Sequence, residues 1–176
     1  RGIEDGKGEA VVRTVDVLIF DKSAHPLLLE SHVGSNIKQT VSGTDYLVTF
    51  TVDVLVSLPD AGSVVVVANA ATEVASAISS TPSKKKAEIL SALKFKTSPV
   101  NGRYEWNVSK VNYKPIPMYG EAAVDGLAPG KKISGLELYR MLARIDVENE
   151  VNGSLFQLQE IYIVNHRTGG YIAPAW

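Results

Sequence analysis

Metal ligation and acid–base catalysis both commonly recruit histidine, and this sequence has three, His25, His32 and His166. They lie far apart, and none has a second histidine or a carboxylate at a ligand spacing such as i, i+4 on a helix. His25 precedes Pro26 in a loop and reads as surface; a metal shared by His25 and His32 across that loop is the competing arrangement. The chain has no cysteine, hence no thiolate nucleophile, thiolate metal site or disulfide framework. It also lacks a Gly-x-Ser-x-Gly elbow and a phosphate-cradling glycine loop followed by Lys-Ser/Thr. Glu148 and Glu150 share a strand face at i, i+2, the pattern of a solvated strand, whereas glycosidase carboxylates usually come from different strands. The residues therefore point to no catalytic centre, no cofactor and no bound metal.

Two other groups of side chains could bind rather than react. Tyr104 and Trp106, with Tyr113 and Tyr119 nearby, could make a carbohydrate-stacking surface, although their alternation fits a core-facing ribbon better. Lys84, Lys85 and Lys86 could form a basic patch, and solvated surface lysines are the plainer reading. Asn107-Val108-Ser109 and Asn152-Gly153-Ser154 match the glycosylation pattern, which is too common to assign a role.

The elements that would position such residues follow from the hydropathy pattern. At 176 residues and 45% hydrophobic content, the chain can bury one substantial core, and a single domain over residues 1–176 is expected. With 18 Lys plus Arg against 19 Asp plus Glu, the overall field favours neither nucleic acid nor an anionic membrane. No apolar run reaches the roughly 18–20 residues of a membrane-spanning helix, and the opening Arg-Gly-Ile-Glu-Asp-Gly is not a signal peptide.

Residues 1–9 read as a mobile arm. Val11 to Asp21 becomes apolar on both faces and suits a central strand. Residues 22–45 are loop-rich, with one short strand at 27–29. Tyr46, Val48, Phe50, Val52 and Val54 alternate inward on a half-exposed strand, and the run Val64 to Ala68 is of the kind buried on both faces. Composition then shifts to one or two short helices around residues 72–93. The first is capped by Thr72 and carries Val74 and Ile78; the second carries Ile89 and Leu93. Three cations at a helix start oppose the macrodipole, so the second helix should not begin at Lys84.

Asn101-Gly102 signals a surface hairpin, and Pro115 and Pro117 mark Ile116 to Glu121 as an edge or crossing strand. Leu136 to Val151 reads as a long strand; a helix is the competing reading, since Leu136, Tyr139, Leu142 and Ala143 also fit helical spacing, and the β-branched Ile145, Val147 and Val151 favour the strand. It buries Tyr139, Met141, Ala143, Ile145 and Val147, and the rest of the sandwich is expected to build on it. A last strand runs over residues 156–165, followed by a non-helical tail. The expected core contains Val17, Ile19, Val48, Phe50, Val52, Val66, Ala143 and Ile145.

Four of these segments together resemble the fimbrillin family, the two-domain subunits of type V pili. They are Val15-Asp16-Val17-Leu18-Ile19-Phe20-Asp21, the run ending in Val66-Val67-Ala68-Asn69, Ile116-Pro117-Met118-Tyr119-Gly120-Glu121, and Leu138-Tyr139-Arg140-Met141-Leu142-Ala143-Arg144-Ile145-Asp146-Val147. Their order and spacing are similar to those of the family's amino-terminal domain over nearly the whole chain. The chain stops at Trp176, where family members continue into a second sandwich.

The resemblance implies a mainly β, transthyretin-like two-layer β-sandwich. It implies a lipoprotein precursor, exported and attached to the outer membrane, and cleaved by an arginine-specific protease at a position matching Arg1. It further implies a structural subunit of a cell-surface fimbria that assembles by β-strand complementation and supports adhesion. The partners so implied are other fimbrial subunits, through strand insertion, and host or bacterial surface glycans or proteins. A glycan-binding adhesin module is the alternative from a different class, and a hydrolase accessory domain or enzyme is a further one.

Overall fold

A computed structural model describes residues 10–43, 45–96, 115–142, 159–162 and 169–174. The fold is mainly β, consistent with a sandwich, and is organised on a five-stranded antiparallel sheet of order β2-β1-β5-β7-β8. Its strands are β1 (Val15–Asp21), β2 (Leu28–Val33), β5 (Ala61–Ala68), β7 (Met118–Ala123) and β8 (Tyr139–Arg140). The hairpin β3 (Ser35–Ser42) and β4 (Asp45–Thr51) covers one face of this sheet. The helices α1 (Ala71–Ser79) and α2 (Lys86–Ala92) cover the other, with the short pair β6 (Lys94–Lys96) and β9 (Gly169–Tyr171).

The two-faced hydrophobicity of β1 and β5 is what this layering requires, because a strand with layers on both sides cannot alternate apolar with polar. Val15, Val17 and Ile19 pack with Val64, Val66 and Ala68 on the hairpin side. Leu18 and Phe20 pack with Val65 and Val67 on the helix side, against Val74, Ala77, Ile89 and Leu93. The register Val17↔Val66 and Leu18↔Val65 sets these residues side by side in the sheet.

Several expectations are corrected here. The passage 22–45, expected to be loop-rich with one short strand, holds two strands, β2 and β3; on β2 the half-buried row is Leu28, Glu30 and His32, while Leu29 and Val33 are exposed. Thr72 lies inside α1, whose N-cap is Ala70 with no side-chain cap bond. The second helix, by contrast, begins as expected past Lys84, at Lys86, and the Lys84 φ of 56° does not continue a helix. The strand β7 is no edge at Met118 and Tyr119, where β8 pairs opposite β5, while from Gly120 to Ala123 β5 is its one partner among the described residues.

Among the described residues the Leu136 segment does not organise the sheet. Of its described residues only Tyr139 and Arg140 are strand, they flank β7 at the end of the sheet, and Tyr139 is 62% exposed. The reason is local: Leu136 and Leu138 turn onto the hairpin-side core over Gly120, where a Cβ would come within 2.3 Å of the Glu137 carbonyl. The centre is held instead by β5, between β1 and β7. Residues 143–151, with Ala143, Ile145 and Val147, lie outside the described residues, as do the Asn101-Gly102 hairpin and most of the last expected strand. Within that strand, residues 159–162 are exposed and carry no strand assignment.

Candidate assembly surface

The hairpin-side layer carries an apolar row that is covered at one end and exposed at the other. Residues of β4 alternate as expected, with Val48 and Phe50, then Val52 and Val54 beyond the strand end, packing on the core below, and with Leu47 and Thr49 outward. These inward residues are half-buried rather than fully buried, because the hairpin lies over the main sheet without hydrogen-bonding to it. The Phe50 ring sits on the backbone of Gly34, where an added Cβ would lie 3.1 Å from Cδ2 of the ring and 3.0 Å from Val15 Cβ. The inward row then runs on beyond the core: Val41 pairs with Tyr46 near the hairpin tip, where Val41 is 69% and Tyr46 37% exposed.

At the base of the hairpin, Asn36 adopts a φ of 50° inside a register shift between Ser35 and Lys38. Its side-chain amide donates to Thr51 Oγ1 at 3.0 Å, and Ser35 and Thr51 share a hydroxyl contact at 2.8 Å. These bonds close the irregular end of the ribbon on itself and leave the regular end, with Val41 and Tyr46, uncovered by the described residues.

The helix side is built differently. Lys86 Nζ donates to Glu121 and, at 2.9 Å, to Ser63 Oγ, and it lies 5.5 Å from the centre of the Phe20 ring. Glu121 also accepts the Tyr119 hydroxyl at 2.7 Å. Burial and then Glu121 push the Tyr119 pKa well above the usual phenol range, so this hydroxyl stays protonated and donating. Lys84 Nζ donates to the Ile78 carbonyl at the end of α1, at 2.9 Å, and Lys85 pairs with Glu88. Lys84 and Lys86 are thus engaged internally, while Lys85 stays exposed in its pair with Glu88, as the solvated reading expects. Lys86, with its side chain only 17% exposed, is not the solvated lysine expected of it.

Other candidate residues are not assembled into a site. Tyr119 is buried at 4% exposure and cannot stack a sugar, while Tyr104, Trp106 and Tyr113 lie outside the described residues. His32 contacts Glu30 at 2.6 Å, and His25 is exposed. Among the described residues no three histidines or carboxylates are grouped to hold a metal ion. His166, Glu148, Glu150 and Arg1 lie outside the described residues.

Two polar residues with structural roles were not singled out from the sequence. Gln39 and Asn69 each bond backbone groups of residues 10–14. Their only sequence signal is an amide closing a β-branched run, at Asn69, and an amide on the inward row of a ribbon, at Gln39.

A layered β fold with a partly covered ribbon fits many binding modules, so the family decides. The family model described as fimbrillin-A associated anchor proteins Mfa1 and Mfa2 matches residues 4–171. The chain belongs to this family. Membership gives it a role as a fimbrial subunit or anchor at the cell surface, associated with other fimbrial subunits. No curated protein matches the chain. Among the described residues no helix is long and apolar enough to cross a membrane.

Proposed function

We propose that this fimbrillin-A associated anchor family member works without catalysis, as a structural component of a cell-surface fimbria. On this reading its inward ribbon face joins neighbouring subunits by β-strand complementation. The observation that supports it is the uncovered apolar pair Val41 and Tyr46, continuing the row that Val48 and Phe50 bury. An extended chain with alternating apolar side chains could lie along that row and pair with a ribbon edge, gaining main-chain bonds and apolar burial together. Outer-membrane attachment as a lipoprotein and a contribution to adhesion belong to the same proposal.

The absence of cysteine gives a clean test. Val41→Cys and Leu47→Cys variants, carrying a photoreactive maleimide, are placed in fimbriated cells and irradiated. Val41 faces inward and Leu47 outward on the same hairpin. The proposal expects crosslinks from position 41 to an extended segment of another fimbrial subunit, located by mass spectrometry, and none from position 47. Equal crosslinking from both positions, or from neither, would remove the ribbon as the joining surface.

A further inference from the structure

Residues 10–14 lead into β1 in an unusual way. Gln39 Nε2 donates to the Ala10 carbonyl at 2.7 Å, and Gln39 Oε1 accepts from the Val12 amide at 3.3 Å. Asn69 Nδ2 donates to the Val11 carbonyl at 2.7 Å, and Asn69 Oδ1 accepts from Arg13 N at 2.8 Å and Thr14 N at 3.5 Å. The Asn69 backbone amide adds a bond to the Thr14 carbonyl at 3.0 Å. Two side-chain amides here do what a neighbouring strand's peptide groups would do, since each presents one donor and one acceptor edge.

The inward residues of this stretch, Ala10 and Val12, are buried at 6% and 8% exposure, and Val12 belongs to the hairpin-side core. Asn69 holds its position with a φ of 58° and a second Nδ2 bond to the Ile116 carbonyl at 2.9 Å. The stretch is therefore fastened to the β5–α1 corner by one residue and to the overlying hairpin by the other.

We propose that residues 10–14 form a strap latched by Gln39 and Asn69, which opens as one unit while the five-stranded sheet stays folded. β1 proper begins at Val15 and keeps β2 and β5 on its two sides, so freeing the strap breaks none of the pairs from Val15 onward. What it uncovers is the hairpin-side core beneath Val12, the cluster shared with Val48 and Phe50. The strap thus regulates access to that cluster from within the chain, and its opening can be measured with no partner present. The stretch pairs with no strand and exposes Arg13 and Thr14, and segments with solvent-exposed backbone bonds open at lower free energy than core strands, which amide exchange resolves residue by residue.

The test is native-state hydrogen exchange of wild type, Asn69→Gly and Gln39→Leu, read at the amides of Val12, Arg13 and Thr14, with Val17 and Val66 as sheet references. Glycine retains the left-handed backbone of position 69 while removing the latch. Each variant is expected to speed exchange at all three strap amides together by about tenfold, the effect of losing a side-chain bond or two, and to leave the references unchanged. Acceleration confined to the directly bonded amide, or equal acceleration at Val17 and Val66, overturns the strap. Wild-type protein in low urea gives a second reading independent of the variants. Strap amides should exchange faster than the sheet with a shallower urea dependence, and a rate and slope equal to those of Val66 would overturn the proposal.

Discussion

Lys86, the first residue of α2, donates to Glu121 of β7 across 35 residues of sequence, and this ion pair fastens the helix layer to the sheet. An ammonium at a helix start opposes the macrodipole, so its place there depends on the carboxylate it meets. Removing the charge while retaining the stem isolates that contribution. Lys86→Met should lose about 1–2 kcal/mol in urea unfolding, with Glu121 left one partner short. Glu121→Gln should couple to it, so that the double variant loses less than the two single losses added. Strict additivity would show that the contact carries no energy of its own.

Gly120 makes a second close approach. A methyl there would fall 2.3 Å from the Glu137 carbonyl and 2.5 Å from a Leu136 methyl, and the first of these is backbone and cannot swing aside. Gly120→Ala should therefore push residues 136–138 off the hairpin-side core and cost about 1–3 kcal/mol, the range for overpacking. Crystallography or NMR of the variant should place the change at Leu136 and Leu138. An unchanged denaturation midpoint would mean that this stretch does not press on β7.

What could be read from the sequence depended on how many layers each strand meets. Val17 to Phe20 and Val64 to Ala68 are apolar on both faces because both faces are covered, and their burial and central place were legible from that alone. The alternation of Tyr46 to Val54 gave the right inward face. Over the described residues 136–142 the hydropathy misled, since the same leucines serve a strand or a segment folded over a glycine, and the choice was made by Gly120, sixteen residues before Leu136. Gln39 and Asn69 were invisible for a related reason. A polar side chain that replaces a strand's peptide bond leaves no period in the sequence, and only the partner backbone identifies it.

Phe50 tests the half-buried ribbon directly. Full burial would put Phe50→Ala at about 3–5 kcal/mol. Here the ring has the Gly34 backbone and Val15 on one side and partial exposure on the other, so a loss of about 2–3 kcal/mol is expected in urea unfolding. Val41→Ala, at the uncovered end of the same row, should cost less than about 0.5 kcal/mol in the isolated chain. If the two losses match, the gradient from covered to uncovered along the ribbon is not real.

Asp16 is the one described side chain with a buried polar atom, Oδ2, that lacks a hydrogen-bond partner, on a strand flanked by Val33 and Val67. Burial raises its pKa above the ordinary 3.8, because the charged form loses water without gaining a donor. The sign of the linkage follows: between 3.8 and the raised value the folded state binds more proton than the unfolded state, so this residue's contribution improves as pH falls and worsens as pH rises. Above the raised pKa the folded chain holds the unpaired charge in full. Asp16→Asn removes that charge with little change of shape and should stabilise the protein at pH 7 by about 1 kcal/mol. The advantage over wild type should shrink through the acid window and be lost below 3.8, where Asp16 is neutral in both states. Unfolding free energies of the pair, measured by urea from pH 7 down to pH 3.5, decide it. A constant difference across that range would mean that Asp16 finds a partner for its charge.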